Sequence, residues 1–325
     1  MRVAAIWAGL IFGILCSAAQ AQSNAGDYPS RPVQLIIAYG PGTIGDVSMR
    51  IVAEKLSTQL GQRFVVENRP GAAGVIAAKA ASLAAPDGYT LVLLGNSYAI
   101  STAWFKSLSY DVVKDFAPIS AVASFDFLVA RRKDSNFHSM RDVIAYAKVN
   151  PGRLKIATLS PGTTQNLGVE LLKVVSGVDV LAVPFRSSPE AANALLRGDV
   201  DIDIDSYAPL RGLLDGGKID VIATTGKARV PFLKDVPTVI ESGVPEFDVS
   251  SWNGIAAPAG VPPTIIAKLS NAVSEALKSP DAQATGHKLG MEMRGSSPEE
   301  LAARLNSDIA KWSDLIEKAH IPKHD

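Results

Sequence analysis

The chain is short of cysteine, histidine and net charge. One Cys and four His in 325 residues are too few for a disulfide framework and make a zinc centre improbable. Lys+Arg and Asp+Glu stand at 32 each, so the clustered basic surface that grips nucleic acid is missing. The longest basic run, Arg131-Arg132-Lys133, reads as a solvated loop after a strand. Beyond the N-terminus no segment approaches the roughly 20 apolar residues that a membrane-crossing helix needs. With 47% hydrophobic and 20% charged residues the composition is globular and excludes disorder. The length suggests two domains with ample core.

The N-terminus carries the one long apolar run. Met1-Arg2, the segment Val3 to Leu15 and the small-x-small Ala19-Gln20-Ala21 make the basic, apolar and cleavable parts of a secretory signal. The pattern predicts cleavage after Ala21, export to the periplasm and a mature chain without cysteine. Leu15 before Cys16 fits a lipoprotein signal poorly.

Strand and helix patterns then alternate, which implies an α/β architecture of parallel or mixed sheets flanked by helices. Val33 to Tyr39 reads as a buried strand, and Val47, Ile51, Val52, Leu56 and Leu60 recur at helical spacing up to Gly61. Phe64–Val66, Thr90–Leu94, Ile156–Thr158, Val180–Val183, Val200–Ile204 and Val221–Thr224 read as further strands. Ser139 caps one helix, Gly177 stops another, and Ser297-Pro298-Glu299-Glu300 forms a capping box before a long helix. Two stretches, Ala117 to Phe127 and Glu246 to Pro258, are extended without helical period. They predict two crossings between lobes, with lobe 1 formed by 22–126 and 246–325 and lobe 2 by 127–245.

One pair of segments repeats. Gly40-Pro41-Gly42-Thr43-Ile44-Gly45-Asp46-Val47 and Ser160-Pro161-Gly162-Thr163-Thr164-Gln165-Asn166-Leu167 share small-Pro-Gly-Thr-x-x-Asp/Asn-aliphatic, each between a strand and a helix. The first amides of a helix lack internal partners, and with the helix dipole they form a site for an anion. One such turn is an ordinary tight connection; two in separate lobes suggest a shared ligand. Thr43, Thr163 and Thr164 offer hydroxyls as caps or donors, and a charge-assisted hydrogen bond contributes about 1.5–3 kcal/mol. Asp205 ends a parallel strand, where α/β proteins bind ligands, and is placed to receive an ammonium group or a water. Ser97 enters for the same reason, after the Thr90–Leu94 strand. On this reading Gly162→Asp blocks the second turn without unfolding the protein.

Competing chemistries remain open at this point. Gly40 to Gly45 satisfies G-x-G-x-x-G after a strand, with Glu67 at the dinucleotide-fingerprint spacing; Asp46 beside the pyrophosphate position, and export, argue against it. Thr158 to Gly162 lacks the first glycine of a nucleophile elbow, and His138, His287, His320 and His324 read as surface residues, leaving no general base. Asp199, Asp201, Asp203 and Asp205 resemble the start of a calcium loop without its glycine and final glutamate; they read as one polar face of a strand. The alternative class is thus an exported enzyme, either nicotinamide-dependent or hydrolytic.

Tyr28-Pro-Ser-Arg-Pro-Val-Gln-Leu-Ile-Ile, Val66-Glu-Asn-Arg-Pro-Gly-Ala-Ala-Gly, Ala85-Pro-Asp-Gly-Tyr-Thr-Leu, Tyr110-Asp-Val-Val-Lys-Asp-Phe-Ala-Pro-Ile, Asp235-Val-Pro-Thr-Val-Ile-Glu-Ser-Gly and Ala257-Pro-Ala-Gly-Val-Pro resemble the Bug (TctC-like) family. These are extracytoplasmic solute receptors of tripartite tricarboxylate transporters. The resemblance implies a two-lobed periplasmic-binding-protein fold, type II-like, that closes on a small carboxylate held by both turns and ordered waters. It carries over Pro41, Gly42 and Asp46 in the first turn and Gly162, Thr163, Thr164 and Leu167 in the second. Pro184-Phe185-Arg186 resembles the family's Pro-Tyr-Lys, and Asp201 and Asp205 match its acidic strand positions. This chain departs at Gly40, Thr43, Ile44 and Gly45, at Asn166 for a common His, and at Asp203 for an apolar residue. The expectation is a non-catalytic, monomeric receptor without cofactor or metal that delivers its solute to membrane permease subunits. The expected contacts are Tyr39, Gly42, Thr43, Asp46, Ser97, Ser160, Gly162, Thr163, Thr164, Asn166 and Asp205.

Overall fold

The computed structural model describes residues 27–71 and 74–324; the expected signal peptide lies outside them. The first part of the chain runs β1 (Val33–Ile37), α1 (Ile44–Leu60), β2 (Phe64–Asn68), α2 (Val75–Ser82), β3 (Thr90–Gly95), α3 (Asn96–Trp104) and β4 (Phe116–Arg132). The middle runs α4 (Met140–Val149), β5 (Lys155–Leu159), α5 (Thr164–Ser176), β6 (Leu181–Phe185), α6 (Ser188–Arg197), β7 (Ile202–Ser206), α7 (Tyr207–Asp215) and β8 (Ile219–Thr224). The end comprises β9 (Ser250–Pro258), α8 (Pro263–Leu277), α9 (Pro280–Lys288), β10 (Glu292–Met293) and α10 (Pro298–Lys318).

Helix limits follow local chemistry. The Thr43 and Thr163 side chains accept from the amides of Asp46 and Asn166, opening α1 and α5. Gly61 and Gly177 close the same two helices at φ 71° and 64°, a region that glycine enters without strain. The expected capping box is present: Ser297 and Glu300 exchange hydrogen bonds at the start of α10.

The strands form two sheets joined through β4. In the first, β2, β1 and β3 are parallel, β9 lies antiparallel to β3, and β4 antiparallel to β9. In the second, β6, β5 and β7 are parallel, and β4 runs antiparallel to both β7 and β8. β4 pairs with β9 up to Asp126 and with β7 from Phe127 onward. Both sheets are therefore mixed, one of the two arrangements that the alternating pattern allowed. A strand leaving a lobe and a strand returning to it must run in opposite senses. β9 falls within the second stretch without helical period, whereas β4 begins one residue before the first and runs five residues past it.

Continuous apolar strands are covered on both faces. Leu35, Ile37, Leu91 and Leu93 pack with Met49, Val52 and Leu56 of α1 and Ile265 and Leu269 of α8. Each fully buried Leu or Ile contributes ~1.5–3 kcal/mol. Two expectations fail in this packing. Arg131 is inside β4, buried, with its guanidinium 2.7 Å from Asp220, so only the end of the basic run is solvated. The β7 aspartates do not face water either: α6 and α7 pack against the strand, and Asp203 and Asp205 are both buried. Asp201, just ahead of β7, accepts from the Lys155 amide at 2.8 Å.

Candidate functional site

The two repeated turns are built alike. Gly42 and Gly162 both sit at φ 81°, and Thr43 and Thr163 follow with φ/ψ of −72°/162° and −81°/159°. Each threonine satisfies the third amide of its helix at 3.3 Å. The preceding amides, of Ile44 and Gly45 and of Thr164 and Gln165, have no acceptor within their helices. Both helix starts border one cavity of about 530 Å³ between the lobes.

Tyr39, Thr43, Ser97, Ser160, Gly162, Thr163, Thr164 and Asp205 line this cavity, so the fold gathers eight of the eleven candidates. Tyr39 donates to Ser97 Oγ at 2.8 Å, tying the ends of β1 and β3 together, and its burial raises the phenol pKa. Gly45 must be glycine here, since a Cβ would lie 2.5 Å from the Tyr39 ring.

Gly42, Asp46 and Asn166 are not in the lining. Asp46 is only 3% exposed and braces the turn: its carboxylate accepts from the Gly42 amide at 2.9 Å, from Arg50 Nε at 3.0 Å and from Asn68 Nδ2 at 2.9 Å. Burial opposes its charge, but the bonds from Arg50, Gly42 and Asn68 outweigh that and hold the carboxyl below its usual range. Asp46 thus consumes the Gly42 amide internally. Asn166 is drawn to Thr158 Oγ1 at 3.4 Å and faces a separate depression beside Trp104 and the C-terminal residues.

The same bonding weakens the dinucleotide reading. The amide that would face a pyrophosphate is taken by Asp46, and Glu67 is held by Gln34 and Arg69. The four histidines are exposed and away from the cavity.

Several lining residues were not foreseen. Phe125 and Phe127 flank the point where β4 changes partners, their rings edge to face at 5.8 Å, and give the cleft an apolar surface. Pro70, Gly71 and Gly74 follow β2, and Ser251 and Asn253 lie on β9. Arg186, already singled out by its resemblance to the family's Pro-Tyr-Lys segment, is exposed after β6 and is the cation of the lining. The loop after β2 was legible through the rule that ligands bind at the carboxyl ends of strands; the phenylalanines depend on the crossing geometry and had no local signal.

The lobes touch across the cleft. Asn96 Nδ2 donates to Thr164 Oγ1 at 2.9 Å while Asn96 Oδ1 accepts from Trp312 Nε1 at 2.8 Å. Trp104, at the end of α3, lies flush against Gly162: a Cβ there would fall 2.3 Å from the indole ring. A more open depression of about 620 Å³ between α8 and α10, bordered by Ser270, Asn271 and Pro298, lies away from both repeated turns.

Two lobes joined by crossing strands, with a helix N-terminus from each on one cleft, define a two-lobed binding protein. The sequence profile described as "Tripartite tricarboxylate transporter family receptor" matches residues 48–321, and the chain belongs to that family. Protein BugT of Bordetella pertussis is 31% identical over 310 residues, covering 94% of this chain and 95% of that one. Among solved structures, Rhodopseudomonas palustris Rpa4515 with adipate has 32% identity and a TM-score of 0.83, covering 91% of this chain and 100% of that one. MatC from Rhodopseudomonas palustris with bound malate has 31% identity and a TM-score of 0.77, covering 89% and 100%. The periplasmic binding protein BugD has 30% identity and a TM-score of 0.80, covering 91% and 100%.

Proposed function

We propose that the chain is a periplasmic receptor that captures a small carboxylate between its lobes and delivers it to the membrane subunits of a tripartite transporter. The observation that carries this reading is the pair of like-built helix starts bordering one cavity from opposite lobes. Free amides and the helix dipole favour a negative group at each. The adipate and malate in related structures are both dicarboxylates, which agrees with two anion-receiving turns and with Arg186 beside them.

On this reading lobe 1 comprises 22–126 and 246–325 and lobe 2 comprises 127–245, with the change of partners along β4 as the joint. Thr43, Thr163, Thr164, Ser97, Ser160 and the local amides contact the solute, whereas Gly42, Asp46 and Asn166 shape the turns. The receptor acts as a monomer, is exported by its first 21 residues, and performs no chemistry on its cargo.

A thermal-shift screen tests the proposal. Small dicarboxylates are expected to stabilise the protein by about 2.7 kcal/mol at a hundred times Kd, while their diamides and nicotinamide dinucleotides leave it unchanged. Stabilisation by a dinucleotide, or conversion of any ligand, would contradict it.

A further inference from the structure

Asp205 ends the parallel part of the second sheet and lines the cleft, yet is only 1% exposed. Its Oδ1 is well supplied, accepting from the Ser206 amide at 2.7 Å, Ser206 Oγ at 3.3 Å and Gln165 Nε2 at 3.5 Å. Its Oδ2 is buried and has no hydrogen-bond partner. Ser188 stands near enough to favour the ionised carboxyl without meeting hydrogen-bond geometry at Oδ2. No ion pair joins Arg186 to Asp205 among the described residues, and Arg186 is exposed. An acceptor left unmatched in a protein interior is costly, and a ligand that brings a donor relieves that cost.

Two residues earlier on the same face of β7, Asp203 is completely buried, with both oxygens unpartnered. It pairs in register with Ala130 of β4, whereas Asp205 pairs with Leu128, so neither meets a cation from that strand. Burial first, and then the charge of Asp205, push the Asp203 carboxyl well up. Burial raises Asp205 as well, but the bonds from Ser188, Ser206 and Gln165 oppose it. Of the two, Asp205 is the carboxyl whose ionised form hydrogen bonds support, and it is the one that lines the cleft, with Asp203 buried behind it.

We infer that Asp205 is the specificity-determining acceptor of the cleft, so that the solute is a carboxylic acid that also carries a hydrogen-bond donor, a hydroxyl or an ammonium group. The inference rests on the receptor reading and deepens it. The anionic end of the solute meets the helix starts, and the donor meets Asp205 Oδ2. Gln165 links the two subsites, since its backbone belongs to the second helix start and its side chain reaches Asp205.

Titration calorimetry with two matched series tests this: succinate, methylsuccinate, malate and aspartate, and the six-carbon adipate, 3-hydroxyadipate and 2-aminoadipate. In at least one series the hydroxy or amino acid is expected to bind about tenfold or more tighter than the acid without a donor. Asp205→Asn is expected to shrink that ratio to about threefold or less. The order of the hydroxy and amino members identifies the donor. If the unsubstituted and methyl acids bind as tightly as the others, or if the ratio survives Asp205→Asn, the inference falls and the receptor reading stands. If no acid of either length binds, both fall. The wild-type comparison decides the matter even if the variant does not fold.

Discussion

Asp46 and Asp126 show how one residue type is put to opposite electrostatic use. Asp46 is ionised and bound by three donor groups inside the first turn. Asp46→Ala leaves those groups unmatched and is expected to cost about 1–3 kcal/mol by chemical denaturation and to weaken solute binding through the loosened turn. Because its folded pKa is lowered, its contribution is present above the unfolded value near 4 and is lost as pH falls through the folded one. Asp126, beside the point where β4 changes partners, behaves the other way. Burial first, then the charge of Asp248, raise its carboxyl to about 6. Between about pH 4 and pH 6 the unfolded chain releases a proton that the fold retains, so stability falls as pH rises. Denaturation of the wild type and Asp126→Asn across that window is expected to give a difference that grows with pH and then levels. A constant difference would mean that Asp126 does not titrate there.

The helices explain how much of the site could be read in advance. Thr43, Thr163 and Ser297 announce helix starts and Gly61 and Gly177 announce ends, because caps are decided by the residues that make them. The repeated turns were legible for the same reason. The burial of Asp203 and Asp205 was not, since an alternating strand reads alike whether its polar face meets water or a covering helix such as α6. Nor was the role of Asp46, which depends on Asn68 at the end of the neighbouring strand. Gly162 carries a second constraint that had no local signal: its missing Cβ points at Trp104 of the opposite lobe, so a side chain there also acts through lobe packing. Gly162→Ala adds that clash to a left-handed backbone costing roughly 1–2 kcal/mol. It is expected to lower carboxylate affinity by about tenfold, or about 1.4 kcal/mol. Trp104→Leu in the same chain is expected to recover part of the loss, as measured by calorimetry.

At the scale of the molecule, β4 is the one strand that the two sheets share among the described residues, and the lobes also meet across the cleft through Asn96 and Thr164 and through Trp104 and Gly162. A solute that bridges both helix starts has its full set of contacts only when those surfaces meet, so binding and closure are linked. Asn96→Ala removes the hydrogen bonds to Thr164 and Trp312 and is expected to raise the dissociation rate in stopped-flow measurements by about tenfold, with a smaller effect on association. The central claim, one anion held from both lobes, is tested most directly by a crystal structure with a bound dicarboxylate. The account expects its oxygens within hydrogen-bond distance of the Ile44 or Gly45 amide on one side and the Thr164 or Gln165 amide on the other. A ligand seated elsewhere, or held by one lobe alone, would contradict it.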